Sequence, residues 1–518
     1  MEVSLLIDEK MKKINLLFCL ITIVFSNMAN GQYNGDHWAF GDSAYINWIN
    51  PNSPTVGYSA HTFRNGSASI SDSNGILLYT GYNYNLNPLR PSVWNKFNVD
   101  ITDLGRIYGG LWYHSNLFIP DPINDSIIYL FTIGVTSVER YGFYYSRINY
   151  KANNDSGLVI QKNVQLNNFP AFDGLMGVRH GNGRDWWVVS QRWFPPSGQI
   201  ATNEFTFYLV SPSGISGPFY QSIGSTHTTN LGHLVFSNDG MHFANVSTRG
   251  LIEIYNFDRC TGVITSTIPI EQEPTTGPYP YAFTSCAYSK DNSKLYVLEL
   301  YQTSSTYYII QFDLFAANIS ASKFIVDSLQ APIAPWQMKL APDDKIYISS
   351  FDENFSWPYP DTSTAYTTIN NNLSVINYPD SLGAACDFQL FSFNLGTGRS
   401  YYGLPNNPDY ELGAWVGSPC DTLTVGIGEN DTKEDVFFQA WYNPEWNMIH
   451  VNASKLKGKS GVLRLFDVEG RVVYEREVEV ISGGYFTGEV MMNGIASGVY
   501  IVSLTTEKDK VQGKVLKF

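Results

Sequence analysis

Short apolar stretches with alternating polar positions recur along the chain. Each leads into a turn rich in Asn, Asp, Ser or Gly and then into a second, aromatic-rich stretch. The period of two predicts β-strands, and the turn residues tolerate the positive φ that a tight hairpin demands. Copies of the unit stand at 71–79, 124–129, 181–188, 236–243, 288–296, 340–347 and, in a weaker form, 395–402, roughly 50–58 residues apart. Several are followed by another strand pair, as at 251–257 and 307–313, which makes four strands per copy. Such a sheet cannot bury both faces alone, so it stacks on its neighbours and the set closes on itself. The reading is an all-β chain, a β-propeller with seven blades, six or eight being the neighbouring counts. A row of stacked β-sandwiches is the alternative architecture.

The two ends differ from this body. Met11-Lys12-Lys13-Ile14-Asn15 is a basic start, 16–25 an apolar run, and Ala29-Asn30-Gly31 a small-residue exit. Together they predict a signal peptide over 1–31, cleaved before Gln32, with an apolar run too short to span a bilayer. Cys19 lies inside that run, which argues against a lipoprotein anchor. The expected domains are therefore 1–31 signal, 32–420 propeller, 421–434 a polar linker and 435–518 a C-terminal β-sandwich. The last carries Asp467-Val468-Glu469-Gly470-Arg471-Val472-Val473, then Gly498-Val499-Tyr500, and a basic tail ending Lys514-Val515-Leu516-Lys517-Phe518. This pattern resembles the type A C-terminal sorting domain of the type IX secretion system of Bacteroidetes, with the entry motif changed to Trp441-Tyr442-Asn443-Pro444. The resemblance implies secretion or attachment at the outer surface, with the secretion machinery as partner.

In the body, Phe236-Ser237-Asn238-Asp239-Gly240 and 340–347 resemble the turns of WD40-like and YVTN-type propellers. Trp38-Ala39-Phe40-Gly41, Ser71-Asp72-Ser73-Asn74-Gly75 and Tyr402-Gly403-Leu404-Pro405 together resemble a group of exported Bacteroidetes propeller proteins. That likeness implies no catalytic residues.

Composition narrows the partners. Charged residues are 15% of the chain against about 25% in an average protein, and 34 Tyr, 31 Phe and 12 Trp fit an all-β body with many turns. A net charge of −14 without a basic run excludes a phosphate backbone and an anionic membrane surface as partners. No integral membrane segment is expected after signal removal. Cys260, Cys286, Cys386 and Cys420 remain in the mature chain and allow three pairings. None forms a Cys-x-x-Cys pair, so a zinc site of that kind is not expected, and neither is any other metal or cofactor.

Candidate chemistry is sparse. Zinc-protease, phosphate-loop and nucleophile-elbow motifs are absent. Asp173, Asp185 and Asp387 are carboxylates without a partner that singles them out. His233, Ser285 and Gln337 fall at equal distance before their turns, on the strand nearest the ring axis. Arg179 with His180, and Trp112 with His114, occupy the same region of earlier copies. Two readings follow: they bind a ligand at the channel mouth, or they bond blade backbones and line the channel. Trp193, Phe194, Trp357 and Tyr359, beside prolines, are candidates for stacking on sugar rings. The functional expectation is a secreted or surface-attached propeller that binds a glycan or protein and has no chemistry of its own. The alternatives are an exported carbohydrate-active hydrolase or lyase with its site at the channel mouth, and a structural surface protein.

Overall fold

The structure is a computed structural model that describes residues 33–72, 74–83, 90–102, 106–136, 140–193, 202–274, 279–355, 363–421, 437–444, 447–454, 456–467, 470–480 and 486–517. The expected signal at 1–31 and, from residue 422, the expected linker lie outside the described residues. The chain divides into two compact units, Met1–Leu423 and Thr424–Phe518.

The first unit holds six four-stranded antiparallel sheets, each built from strands consecutive in the chain. The first comprises β1 (His37–Asn47), β2 (Thr55–Asp72), β3 (Gly75–Asn83) and β4 (Arg90–Asn95). The second comprises β5 (Asn116–Pro120), β6 (Ile127–Gly134), β7 (Gly142–Asn149) and β8 (Leu158–Asn167). The third comprises β9 (Met176–Arg179), β10 (Trp186–Gln191), β11 (Thr202–Ser211) and β12 (Gly214–His227). The fourth runs β13 (Gly232–Phe236), β14 (His242–Ser247), β15 (Ile252–Asp258), β16 (Val263–Glu271). The fifth runs β17 (Tyr281–Tyr288), β18 (Lys294–Tyr301), β19 (Thr306–Asp313), β20 (Phe324–Gln330). The sixth runs β21 (Ile333–Leu340), β22 (Ile346–Asp352), β23 (Asn372–Ile376), β24 (Phe388–Asn394).

The turns behave as their residues dictate. Ser237 and Ser289 each donate through Oγ to the Asp two residues on, at 2.6 and 2.8 Å, and each Oγ accepts the N–H of the first residue of the next strand. The left-handed position in three successive turns is Gly240 at φ 69°, Asn292 at φ 60° and Asp344 at φ 63°. Those are the residue types that reach αL at least cost.

The long strand β2 lies between β1 and β3 in the first sheet. Its first half pairs with β1, from Asn47↔Thr55 to Gly41↔Phe63, and its second half pairs with β3, from Ser67↔Gly81 to Asp72↔Gly75. The segment after β24 returns to the first sheet through isolated bridges. Arg399 and Asp42 exchange backbone bonds of 2.9 Å, and Asn406 N donates to Ser67 O at 2.7 Å. The weak turn at 395–402 thus leads into a segment that meets the first sheet, so the end of the unit joins its beginning.

Shared cores follow the same circle. Trp38, Phe40, Ala44 and Ile46 of β1 pack with Tyr347, Leu373 and Val375 of the sixth sheet. Ala39 and Phe63 pack with Tyr79 on the other side. One core joins the β2–β4 sector to the second and third sheets, and three more join third to fourth, fourth to fifth and fifth to sixth. The unit is a β-propeller whose described strands form six four-stranded sheets.

The seam is clamped by charge. Asp42 accepts from Arg64 Nε at 3.1 Å and from Arg399 Nε at 2.8 Å, with all three side chains buried. Gly41, at φ 55°, stands where a Cβ would fall 2.0 Å from Arg399 O.

In the second unit, β25 (Phe437–Asn443), β26 (Met448–Ser454) and β29 (Phe486–Met491) form one sheet. β28 (Val472–Glu479), β27 (Ser460–Phe466), β30 (Gly498–Thr506) and β31 (Lys510–Lys517) form the other. A core including Ile449, Val451, Leu463, Leu465 and Val502 lies between them, as in a β-sandwich. Asp467 closes the β27–β28 turn by accepting Arg471 N at 2.9 Å and Arg471 Nε at 2.7 Å, and Gly470 sits at φ 80°. The Asp-x-x-Gly-Arg motif is therefore a self-capped hairpin turn.

Candidate functional site

The inner strands carry a chain of polar stitches. His233 Nδ1, on β13, accepts Cys286 N at 3.2 Å and lies 3.1 Å from the Ser285 hydroxyl on β17. Ser285 Oγ accepts Met338 N on β21 at 3.0 Å, and Gln337 Oε1 accepts Leu404 N in the segment after β24. One residue per blade, at one position, thus takes up a backbone N–H of the next blade. Asp173 does the same between the second and third sheets, accepting Tyr113 N at 3.1 Å and His114 N at 2.9 Å.

His114 stacks on His233 with ring centroids 3.9 Å apart, which closes the axis with two imidazoles. Burial pushes the His114 ring down to about 3 and holds His233 well below its ordinary value, so both are neutral at pH 7. Of the five residues singled out in the sequence, His114, His233 and Gln337 come together at the axis. Arg179 and His180 do not; they stand at the end of β9. His180 Nε2 donates to Cys260 O at 2.8 Å while its Nδ1 accepts Asn182 N at 3.0 Å. Arg179 stacks over Trp186 at 4.4 Å and bonds the Tyr410 carbonyl.

That carbonyl belongs to a strap. After Leu404 the chain crosses one end of the ring. Asn406 Nδ2 donates to Asn116 O at 2.9 Å and Leu175 O at 2.7 Å, and Tyr410 donates to Phe118 O at 3.0 Å. Arg259 Nη2 donates to Gly413 O at 2.6 Å. Cys260 and Cys420 then pair in a disulfide that closes a separation of 160 residues, while Cys286 and Cys386 remain buried thiols.

Beneath the strap lies a cavity of about 620 Å³, bounded by the ends of β9, β13, β17 and β21, by 35–38 and by 405–413. His233 and Gln337 reach its wall; His114, Arg179 and His180 do not. Five charged groups not singled out in the sequence do reach it: Asp36, Lys290, Lys339, Asp409 and Glu411. Burial, aided by the Glu411 charge, raises the Asp36 carboxyl to about 6. Burial lowers Lys339 to about 8, opposed by Asp409. Lys339 had a signal, since it stands two residues after Gln337 on one strand and so shares its face. Asp36 had none, because its place follows from the seam.

The other sequence candidates are engaged elsewhere. Asp185 is held by Asn182 and Arg184, and Asp387 by Asn377 and Gln389. Trp193, expected as an exposed stacking surface, is instead buried, with its indole N–H on Thr228 O at 3.2 Å. Phe194, Trp357 and Tyr359 lie outside the described residues.

Residues 439–517 match the family described as the secretion system C-terminal sorting domain. The chain is thus an all-β propeller protein bearing a sorting domain of the type IX secretion system, and it is secreted or attached at the cell surface. No helix among the described residues is long and apolar enough to cross a membrane. Among solved structures the chain is similar to the periplasmic gluconolactonase of Pseudomonas aeruginosa, at 11% identity over 71% of this chain and 97% of that one, TM-score 0.42. It is also similar to oligogalacturonate lyase of Vibrio parahaemolyticus, at 11% identity, 70% and 86% coverage, TM-score 0.34. A third similar structure is PorZ of Porphyromonas gingivalis, a surface component of the type-IX secretion system, at 12% identity, 93% and 69% coverage, TM-score 0.27. No curated protein matches the chain.

Proposed function

We propose that the protein is an exported binding propeller whose ligand, a glycan or a glycan-bearing protein, enters the cavity under the 405–413 strap. The observation that carries this reading is the cavity itself. Its volume of about 620 Å³ is in the range of small-molecule sites, and polar groups from several blades converge on it. The axial polar residues support the ring by bonding its backbones, so recognition falls to Asp36, Lys339 and Glu411 at the wall. The test is a glycan array probed with the full chain and with Gly35→Leu. A Cβ on Gly35 meets only Asn407 and Tyr410, at 3.9 Å, so the larger side chain is accepted and fills cavity space. Binding that falls at least about tenfold in the variant, roughly 1.4 kcal/mol, supports the cavity; binding unchanged by the variant places recognition elsewhere.

One observation favours the hydrolase or lyase as a second reading. The Asp36 carboxyl, raised to about 6, shares the cavity with Glu411, and a pair of carboxyl groups is what glycoside hydrolysis uses. On that reading Asp36→Asn abolishes turnover of a polysaccharide by the full chain and leaves glycan binding intact.

A further inference from the structure

We propose that Lys339 is a reactive amine at the cavity wall that condenses with a carbonyl ligand, an aldehyde or the open-chain form of a reducing sugar. This rests on the cavity being the ligand site and adds a chemistry to it. Lys339 projects from β21 into the cavity and is half-buried there. Its Nζ donates to Asn407 O at 3.0 Å and lies 5.9 Å from the centre of the Trp38 ring. Among the described residues no carboxylate stands within ion-pair distance of Nζ, which sets it apart from Lys294 and Lys323, both paired.

Asp36, Glu411 and Lys290 line the same cavity as the amine. Asp409 on the strap favours the ammonium form, while the rings of His233 and His114 lie near it on the axial side and disfavour that form when charged. Burial dominates, and the amine titrates at about 8. Desolvation of this kind is how lysines become nucleophiles near neutral pH. At pH 7.5 such a group holds roughly two-hundredfold more free amine than an unperturbed lysine.

The step balances without an added oxidant or reductant. The amine lone pair attacks the carbonyl carbon, and the nitrogen passes a proton to the oxygen. The carbinolamine hydroxyl then takes up a proton from solvent and leaves as water as the nitrogen lone pair forms the carbon–nitrogen double bond, and loss of the second N–H proton to solvent restores the balance.

The test uses the full chain with glycolaldehyde and cyanoborohydride at pH 7.5, followed by peptide mass mapping. Lys339 is expected to carry at least about tenfold more label than Lys151, an exposed lysine in the same digest, and its labelling is expected to titrate near 8. Label on Lys339 at or below the level of Lys151 overturns the proposal. So does label that appears on Lys339 only after denaturation. Lys339→Arg should remove the site-specific label with the circular dichroism unchanged; if that variant fails to fold, the wild-type digest still decides. The two readings fail separately. A glycan that binds while Lys339 stays unlabelled overturns the amine chemistry alone. Strong labelling with no glycan bound upholds the amine and sinks the glycan reading.

Discussion

Asp42 is the charged centre of the seam. Its carboxylate joins Arg64 and Arg399 across a sequence separation of 357 between Asp42 and Arg399, and all three side chains are buried. Removing the charge strands two guanidiniums in a dry site, so Asp42→Asn should cost about 3–5 kcal/mol, read from urea unfolding of the full chain. A loss below about 1 kcal/mol would mean the cluster is solvated. Histidines set the response to acid. Burial lowers His37, His61 and His227 to about 4 and His114 to about 3, and it also lowers His180 and His233. Their folded values lie below the unfolded value, so the unfolded chain binds more protons below about pH 6.5. Their stabilisation is complete above that pH and is lost as pH falls towards 4. Asp36, raised to about 6, acts in the opposite sense over part of this range. The net expectation is a loss of several kcal/mol between pH 7 and 5, seen as a falling urea midpoint, because each such histidine is worth about 1.4 kcal/mol per pH unit.

At the level of elements, the turns were legible and the seam was not. Ser-x-Asp pairing and the αL positions of Gly240, Asn292 and Asp344 are local chemistry, so the repeat could be counted from residues a few places apart. The motifs Trp38-Ala39-Phe40-Gly41 and Tyr402-Gly403-Leu404-Pro405 were visible as words, but their meaning lies in being pressed together, which no local rule encodes. Gly403 faces Asn65 O, where a Cβ would fall at 2.2 Å, just as Gly41 faces Arg399 O. Gly41→Ala adds both a positive-φ penalty and that clash. It should lower stability by at least about 2 kcal/mol, measured by thermal unfolding, whereas Gly75→Ala, with open space at its Cβ, should cost only the φ term of about 1 kcal/mol. The axial residues show the same division. Their equal spacing put His233, Ser285 and Gln337 on inner strands, while the strap that makes a cavity beside them was invisible, since its contacts reach back hundreds of residues.

For the whole molecule, the disulfide and the division into units make separate predictions. By loop entropy a link spanning 160 residues stabilises by at most about 5 kcal/mol, so Cys420→Ser should lose roughly 2–5 kcal/mol and free the end of the strap. Each unit has its own core, so a chain ending at Asp421 should keep the unfolding transition of the ring. A ring that melts with the loss of the second unit would contradict this. The seam also sets a clock. β1 pairs with β2 at once, but its other edge waits for Arg399, so a ribosome adding about 5–20 residues per second leaves that edge bare for roughly 20–70 s. A strand edge left bare for so long invites aggregation, so a chaperone that covers it until the segment after β24 arrives should raise the yield of folded protein.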